Sequence, residues 1–123
     1  MSNIPAAAQR ILIVDDNADA AHVIAELFNL HGAHAVHVAN GEEALKIAPN
    51  FLPDVVFLDL AMPDMDGFSL LRALKGHPAL RAARFIALTC MSQAEVGDRV
   101  LAEGVDRHIQ KPASLAMLLD ELS

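Results

Sequence analysis

Three short apolar runs dominate what this chain can fold into: Ile11-Leu12-Ile13-Val14, Val55-Val56-Phe57-Leu58 and Phe85-Ile86-Ala87-Leu88. Each is continuous rather than alternating and carries β-branched or aromatic residues. That composition suits a strand covered on both faces. Each run also stops at a polar residue: Asp15, Asp59 and Thr89 in turn.

The segments between them read as helices and weaker strands. Asp15-Asp16-Asn17 opens a first helix with Ile24, Leu27 and Phe28 on one face, ending at Gly32. Ala33 to Val38 reads as a second strand. Asn40-Gly41-Glu42-Glu43 has the form of a capping box, so a short second helix starts there and stops before Pro49. Asp66 can cap a third helix whose apolar face includes Phe68, Leu71 and Leu74. Ser92-Gln93-Ala94-Glu95 is a second capping box, and its helix runs to Gly104 despite Gly97. Val105 to Gln110 is a polar strand suited to a sheet edge, and Leu115, Leu118, Leu119 and Leu122 define a fifth helix.

Strands alternating with helices imply an α/β fold, a parallel sheet covered on both faces. Placing the polar second and fifth strands at the edges gives a flavodoxin-like (βα)5 three-layer sandwich of strand order 2-1-3-4-5. Residues 1–9, with Pro5 and three alanines, read as a flexible leader, and residues 10–123 as one domain.

The 123-residue chain carries a formal net charge of −7, which argues against nucleic acid or an anionic membrane as its direct partner. Its single cysteine, Cys90, cannot form an intrachain disulfide, and neither a signal peptide nor a membrane-length apolar stretch is evident. A cytoplasmic domain is the expectation.

Parallel register brings Asp15, Asp16, Asp59, Thr89 and Lys111 to the same rim of the sheet. A strand-terminal aspartate is usually a helix cap, and a lone threonine or lysine says little; their joint arrival on four strand ends is harder to dismiss. Crowded carboxylates stay ionised only beside cations. Lys111 supplies one, and the oxygen-rich remainder calls for a hard divalent ion such as Mg²⁺. A carboxylate facing such charges could take up a phosphoryl group, with Asp59 as nucleophile and Thr89 donating to a phosphoryl oxygen.

Val14-Asp15-Asp16-Asn17, the run from Leu58 to Gly67, Ala87-Leu88-Thr89 and Lys111-Pro112 closely resemble response-regulator receiver domains (CheY-like) of two-component signalling. The resemblance covers Arg10 to about Leu122. It implies that Asp59 is the phosphoacceptor for a histidine kinase or histidine phosphotransfer protein. It implies Mg²⁺ held by Asp16, Asp59 and the Ala61 backbone carbonyl, with Asp15 acting through water. Lys111, aimed by a cis bond to Pro112, would pair with the phosphoryl group. Thr89 and the residue at position 108 would form the switch. Pro63 and Gly67 would shape the loop after Asp59. Output would pass through the surface of the fourth helix, fifth strand and fifth helix, to a protein target or a second copy. Such a domain transfers and loses its phosphoryl group by its own catalysis but is not a turnover enzyme.

Two positions depart from the pattern. Receivers usually have Tyr or Phe where this chain has His108. The imidazole is a smaller flat ring, or a titrating group that makes the switch pH-sensitive, or a sign that the coupling is rerouted. Cys90 and Met91 follow Thr89, where a small residue is common; the Cys90 thiol either slightly crowds the approach to Asp59 or, the favoured reading, is a small buried hydrophobe. His31, His34 and His37 do not converge on a metal, because His34 and His37 face opposite sides of a strand. Arg99 and Arg107 read as solvated surface. An aspartate-nucleophile phosphatase would need an acid at position 61, which is Ala61. A phosphorylation-independent interaction module on the same fold is the alternative, but it predicts loss of site residues that are all present. Free-standing regulator, relay intermediate and part of a hybrid kinase all remain open, the stretch from Gly104 to Leu122 resembling most the receivers of hybrid kinases.

Overall fold

The strands β1 (Arg10–Val14), β2 (His34–Val38), β3 (Val55–Asp59), β4 (Arg84–Thr89) and β5 (Arg107–Gln110) form one sheet in the order β2-β1-β3-β4-β5. Every pairing is parallel. The structure, a computed structural model, describes residues 9–61, 66–90, 99–100, 102–111 and 113–122. The expected second capping box, Gly97, Met91, Pro63 and the Lys111–Pro112 bond lie outside these residues.

The unbroken apolar runs are explained by two cores, one on each face. Leu12, Val14, Val56, Leu58, Phe85 and Ala87 point into one core. Ile11, Ile13, Val55, Phe57, Ile86 and Leu88 point into the other. Helix α1 (Ala18–Leu30) and the last described helix, α4 (Leu115–Asp120), cover the second core, and α2 (Gly41–Phe51) and α3 (Gly67–Lys75) the first. The Phe28 and Phe57 rings stack at 5.4 Å between α1 and β3. Truncating either to alanine would cost about 3–5 kcal/mol.

Helix starts follow the sequence. Asn17 Oδ1 accepts from Ala20 N at 3.1 Å, and Asn40 Oδ1 from Glu43 N at 2.9 Å. Glu43 reaches back to the Asn40 side-chain amide at 2.9 Å rather than to its backbone. Asp66 Oδ1 accepts from Phe68 N at 3.0 Å. Gly32, at φ 93°, closes α1 in the left-handed region as expected.

Three boundaries differ from the sequence expectation. Helix α2 does not stop before Pro49 but continues to Phe51. In the last turn proline forfeits only the bond to the Leu45 carbonyl. Arg10 holds that turn in place, its Nε donating to the Phe51 carbonyl at 2.6 Å and its guanidinium lying 4.3 Å from the Phe51 ring centre. Strand β5 starts only at Arg107, because Asp106 caps its neighbour: Phe85 N donates to Asp106 Oδ2 at 2.8 Å. Helix α4 stops at Asp120, although Leu122 is still buried. Gln9, assigned by sequence to the leader, is buried. It accepts from His34 N at 2.9 Å and its amide donates to the Leu122 carbonyl.

Arg99, Val100 and Ala102 are helical, at the end of the expected fourth helix. Three contacts tie this region to α3. Arg72 bridges Glu103 at 3.0 Å, Lys75 Nζ donates to the Gly104 carbonyl at 2.9 Å, and the Arg99 guanidinium lies 4.0 Å from the Phe68 ring centre. Arg107 pairs with Glu121 at 3.1 Å. Arg99 and Arg107 are both exposed, as expected, while making these contacts. Among the described residues, no helix is long and apolar enough to cross a membrane.

Candidate functional site

Parallel register carries the polar residues that end the strands to one rim, as the sequence implied. Asp15 follows β1, Asp59 ends β3, Thr89 ends β4, and Lys111 follows β5. Asp15, Asp59 and Thr89 are 1 %, 6 % and 0 % exposed, whereas Asp16 is open to solvent. Oxygens of Asp15, Asp16 and Asp59 lie within 4.8 Å of one another, close enough to share a metal ion.

Lys111 reaches across this acidic group. Its Nζ lies 2.7 Å from Asp15 Oδ2 and 3.2 Å from Asp59 Oδ2. Backbone amides hold the other oxygens: Asn17 N donates to Asp15 Oδ1 and Ala61 N to Asp59 Oδ1, each at 2.9 Å. The Lys111 backbone is fixed too, its N–H donating to the Thr89 carbonyl at 2.8 Å. A lysine placed by the end of one strand thus neutralises carboxylates on two others.

Burial pushes the Asp59 carboxyl above its ordinary value. The Ala61 N–H and the Lys111 ammonium pull it back, and the charge of Asp15 adds to the rise. For Lys111, burial acts downward, but the hydrogen bond to Asp15 and the charges of Asp59 and Asp15 outweigh it. Its pKa is therefore raised, and it stays an ammonium.

Leu60, just past Asp59, and Gly67, the first residue of α3, lie backbone against backbone. A Cβ on Gly67 would stand 2.6 Å from Leu60 Cα, so only glycine permits this approach. Ala61 follows Leu60 and offers its amide to Asp59.

His108 is half-buried on β5, opposite Ala87. Cys90 corrects an expectation: it is exposed, not buried. It lies just past the end of β4, where the chain leaves the sheet, so neither core receives its thiol. It lines an open groove of about 450 Å³ with Asp15, Asn17, Ile24, Lys111 and Leu118. Sequence reading singled out Asn17 as a helix opener only. Its second task, holding Asp15 through the backbone amide, carries no side-chain signature. His34 and His37 do face apart, His34 packing on Phe51 of α2 and His37 on His22 of α1.

Comparison with known proteins agrees with this architecture. Residues 11–123 match the response regulator receiver domain family. The polar-differentiation response regulator DivK of Brucella anthropi is 27 % identical over 112 residues, spanning 91 % of both chains. The signal receiver domain of a signal transduction histidine kinase from Syntrophus aciditrophicus is 36 % identical with a TM-score of 0.81. That match covers 94 % of this chain and 87 % of the other. A response regulator protein from Burkholderia pseudomallei, solved with a phosphorylated aspartic acid, a calcium ion and citrate, superposes with a TM-score of 0.85 at 26 % identity. It matches 94 % of this chain and 67 % of its own. A family match across all but the first ten residues, on a sheet of the same order, places the chain among the response-regulator receiver domains, the signalling modules of two-component systems.

Proposed function

We propose that this receiver is switched by phosphorylation of Asp59, with the phosphoryl group supplied by a phosphohistidine of a histidine kinase or a histidine phosphotransfer protein. The observation that carries the reading is Lys111 Nζ standing between Asp15 and Asp59, 2.7 and 3.2 Å from their oxygens. A fixed ammonium against a buried carboxylate is the arrangement that stabilises added phosphoryl charge. In the transfer, an Asp59 oxygen bonds to phosphorus and the phosphorus–nitrogen bond of the donor breaks. The electron pair returns to the imidazole.

The donor set fits a hard divalent cation, since Asp15, Asp16 and Asp59 offer only oxygen. We assign it to Mg²⁺, with Asp16, Asp59 and the Ala61 carbonyl as direct ligands and Asp15 acting through water. When bound, the ion supplies charge neutralisation for the phosphoryl oxygens. The chain's own residues do the rest. Ala61 N–H orients the Asp59 carboxylate, Asn17 N–H orients Asp15, and Lys111 holds a proton and its charge at the phosphoryl position. Thr89 donates its hydroxyl to a phosphoryl oxygen, and His108 answers its movement. Readout then passes to a protein target through the face that includes β5 and α4. A cytoplasmic setting and an absence of direct nucleic-acid contact belong to the same proposal, supported by the lone cysteine and the net charge of −7.

Intact mass after incubation with acetyl phosphate and Mg²⁺ tests it. A phosphoryl adduct is expected that needs Mg²⁺, is lost in hydroxylamine and is absent from Asp59→Asn. An adduct persisting in Asp59→Asn overturns the assignment. If neither acetyl phosphate nor a beryllofluoride titration engages Asp59, the phosphorylation-independent interaction module takes its place.

A further inference from the structure

Two histidines from different elements meet beside the edge of the sheet. His37 is registered opposite Ile13, on the face of β2 that α1 covers, so it turns away from His34 and towards the helix. Its ring stands edge-on to that of His22 on α1, with the ring centres 5.6 Å apart and the planes at 74°. On α1, Ala21 and Ala25 are buried, and His22 and Glu26 each follow one of them. Four residues apart on one side of the helix, these two are neighbours. Glu26 Oε1 lies 3.9 Å from His22 Nε2, too long for a hydrogen bond. Among the described residues, neither ring nor the Glu26 carboxylate takes part in one.

The donor set has a chemical meaning. Two imidazole nitrogens and a carboxylate oxygen are ligands that Zn²⁺ takes from proteins, and residues four apart on a helix present two ligands to one ion. Two imidazoles on a tetrahedral ion, each nitrogen about 2.1 Å from it, hold their ring centres about 5 Å apart. A carboxylate oxygen on the same ion stands about 3.3 Å from the nitrogen beside it. The observed 5.6 Å and 3.9 Å are each a little longer. The His22 and Glu26 side chains are 61 % and 62 % exposed, so both can turn to close the difference, while the half-buried His37 stays in place.

We propose that His22, Glu26 and His37 bind a divalent transition-metal ion of the Zn²⁺ class, the two helix side chains rotating to close around it and water filling the remaining position. The site is separate in kind from the acidic rim. There Asp15, Asp16 and Asp59 offer only oxygen, with their ligand atoms already within 4.8 Å of one another. Hard Mg²⁺ is drawn to that oxygen set, whereas imidazole suits zinc. An ion held by His22, Glu26 and His37 ties the exposed side of α1 to the edge strand β2 and stabilises the fold by its binding.

Zn²⁺ titrated into the whole chain provides the test, with Mg²⁺ in excess to occupy the rim and Cys90→Ser to remove a competing thiol. Calorimetry is expected to show binding, and the ring resonances of His22 and His37 to move together in NMR spectra while those of His31 and His34 stay. Losing a group that merely supports a metal ligand costs about 10–100-fold in affinity, so His22→Gln, Glu26→Gln or His37→Gln should weaken binding at least about tenfold. His22 and Glu26 are exposed, so their variants decide the matter even if His37→Gln folds poorly, and circular dichroism verifies the fold. Zn²⁺ at ten times its dissociation constant should raise the thermal midpoint by about 4 °C, and the same concentration should leave His22→Gln nearly unchanged. Absence of binding up to about 1 mM, binding unaltered by His22→Gln, shifts centred on His31 or His34, or release of Zn²⁺ by added Mg²⁺ overturns the proposal.

Discussion

Thr89 and His108 project from the same face of the sheet, two pairs apart along the β4–β5 ladder: His108 is registered opposite Ala87, and Thr89, two residues beyond Ala87, is opposite Gln110. The fully buried Thr89 at the rim and the half-buried imidazole below it are thus neighbours through the sheet rather than through a loop. A change in the Thr89 hydroxyl has a short path to β5. Beryllofluoride is expected to shift the His108 ring resonances in NMR spectra, and Thr89→Ala to remove most of that shift while Asp59 is still engaged. A full shift in Thr89→Ala would mean that the coupling runs elsewhere.

Asp59 is a source of strain in the metal-free chain. Its carboxyl is raised, chiefly by burial, above the ordinary 3.8. A group raised in the folded state favours folding below its unfolded pKa and loses that contribution as pH climbs through the folded one. At neutral pH the ionised Asp59 therefore works against the fold. Asp59→Asn is expected to raise the thermal midpoint in chelator at pH 7.5 by about 3 °C or more. The gain should shrink towards zero as pH falls below the carboxylate range. An equal gain at pH 3.5 would contradict the titration of Asp59 as its source.

Lys111 does the opposite. Removing it leaves Asp15, 1 % exposed, and Asp59 without their fixed cation. Breaking a buried pair costs about 3–5 kcal/mol, and the 23 % exposure of the lysine side chain moderates this to about 2 kcal/mol. Lys111→Ala should therefore unfold earlier in urea without Mg²⁺. Mg²⁺ at ten times its dissociation constant should add about 1.4 kcal/mol to the wild type, and its binding should stabilise Lys111→Ala at least as much, because the ion substitutes for the lost charge. If Mg²⁺ stabilises neither protein, or Asp16→Ala as strongly as wild type, the cation site is elsewhere.

A second charged group sits at the far end of the sheet. Glu121, 7 % exposed in its side chain, accepts from Arg84 at 3.2 Å and from Arg107 at 3.1 Å, joining β4, β5 and the end of α4. Glu121→Gln leaves two guanidiniums facing each other without a carboxylate. A loss of about 1–2 kcal/mol is expected, with faster amide exchange concentrated in α4 and β5. Uniform acceleration over the whole sheet would show that the triad does not act locally.

The parts legible in the sequence were those written in a single stretch. Val55 to Leu58 needs no distant partner to announce a strand buried on both faces, and the polar residues ending the strands reach the rim through register alone. The parts that were not legible depend on residues far apart in the chain. Pro49 is tolerated in α2 because Arg10, 41 residues from Phe51, holds the last turn. Arg107 is exposed as expected, but its pairing with Glu121 could not be read because Glu121 lies beyond the end of β5. Cys90 looked buried because apolar strand residues precede it. Its exposure follows from the point at which β4 leaves the sheet, and composition does not mark that point.

Gln9 and Leu122 meet at the pole of the sheet opposite Asp59, with β1 and β3 running about 17 Å between the two ends. Anything joined to either end of the domain would leave from this one spot. A tether there can be shortened, lengthened or exchanged without crossing the rim. Linking the two ends by a few flexible residues and opening the chain at an exposed loop such as His77 should yield a circular permutant with its acidic rim intact.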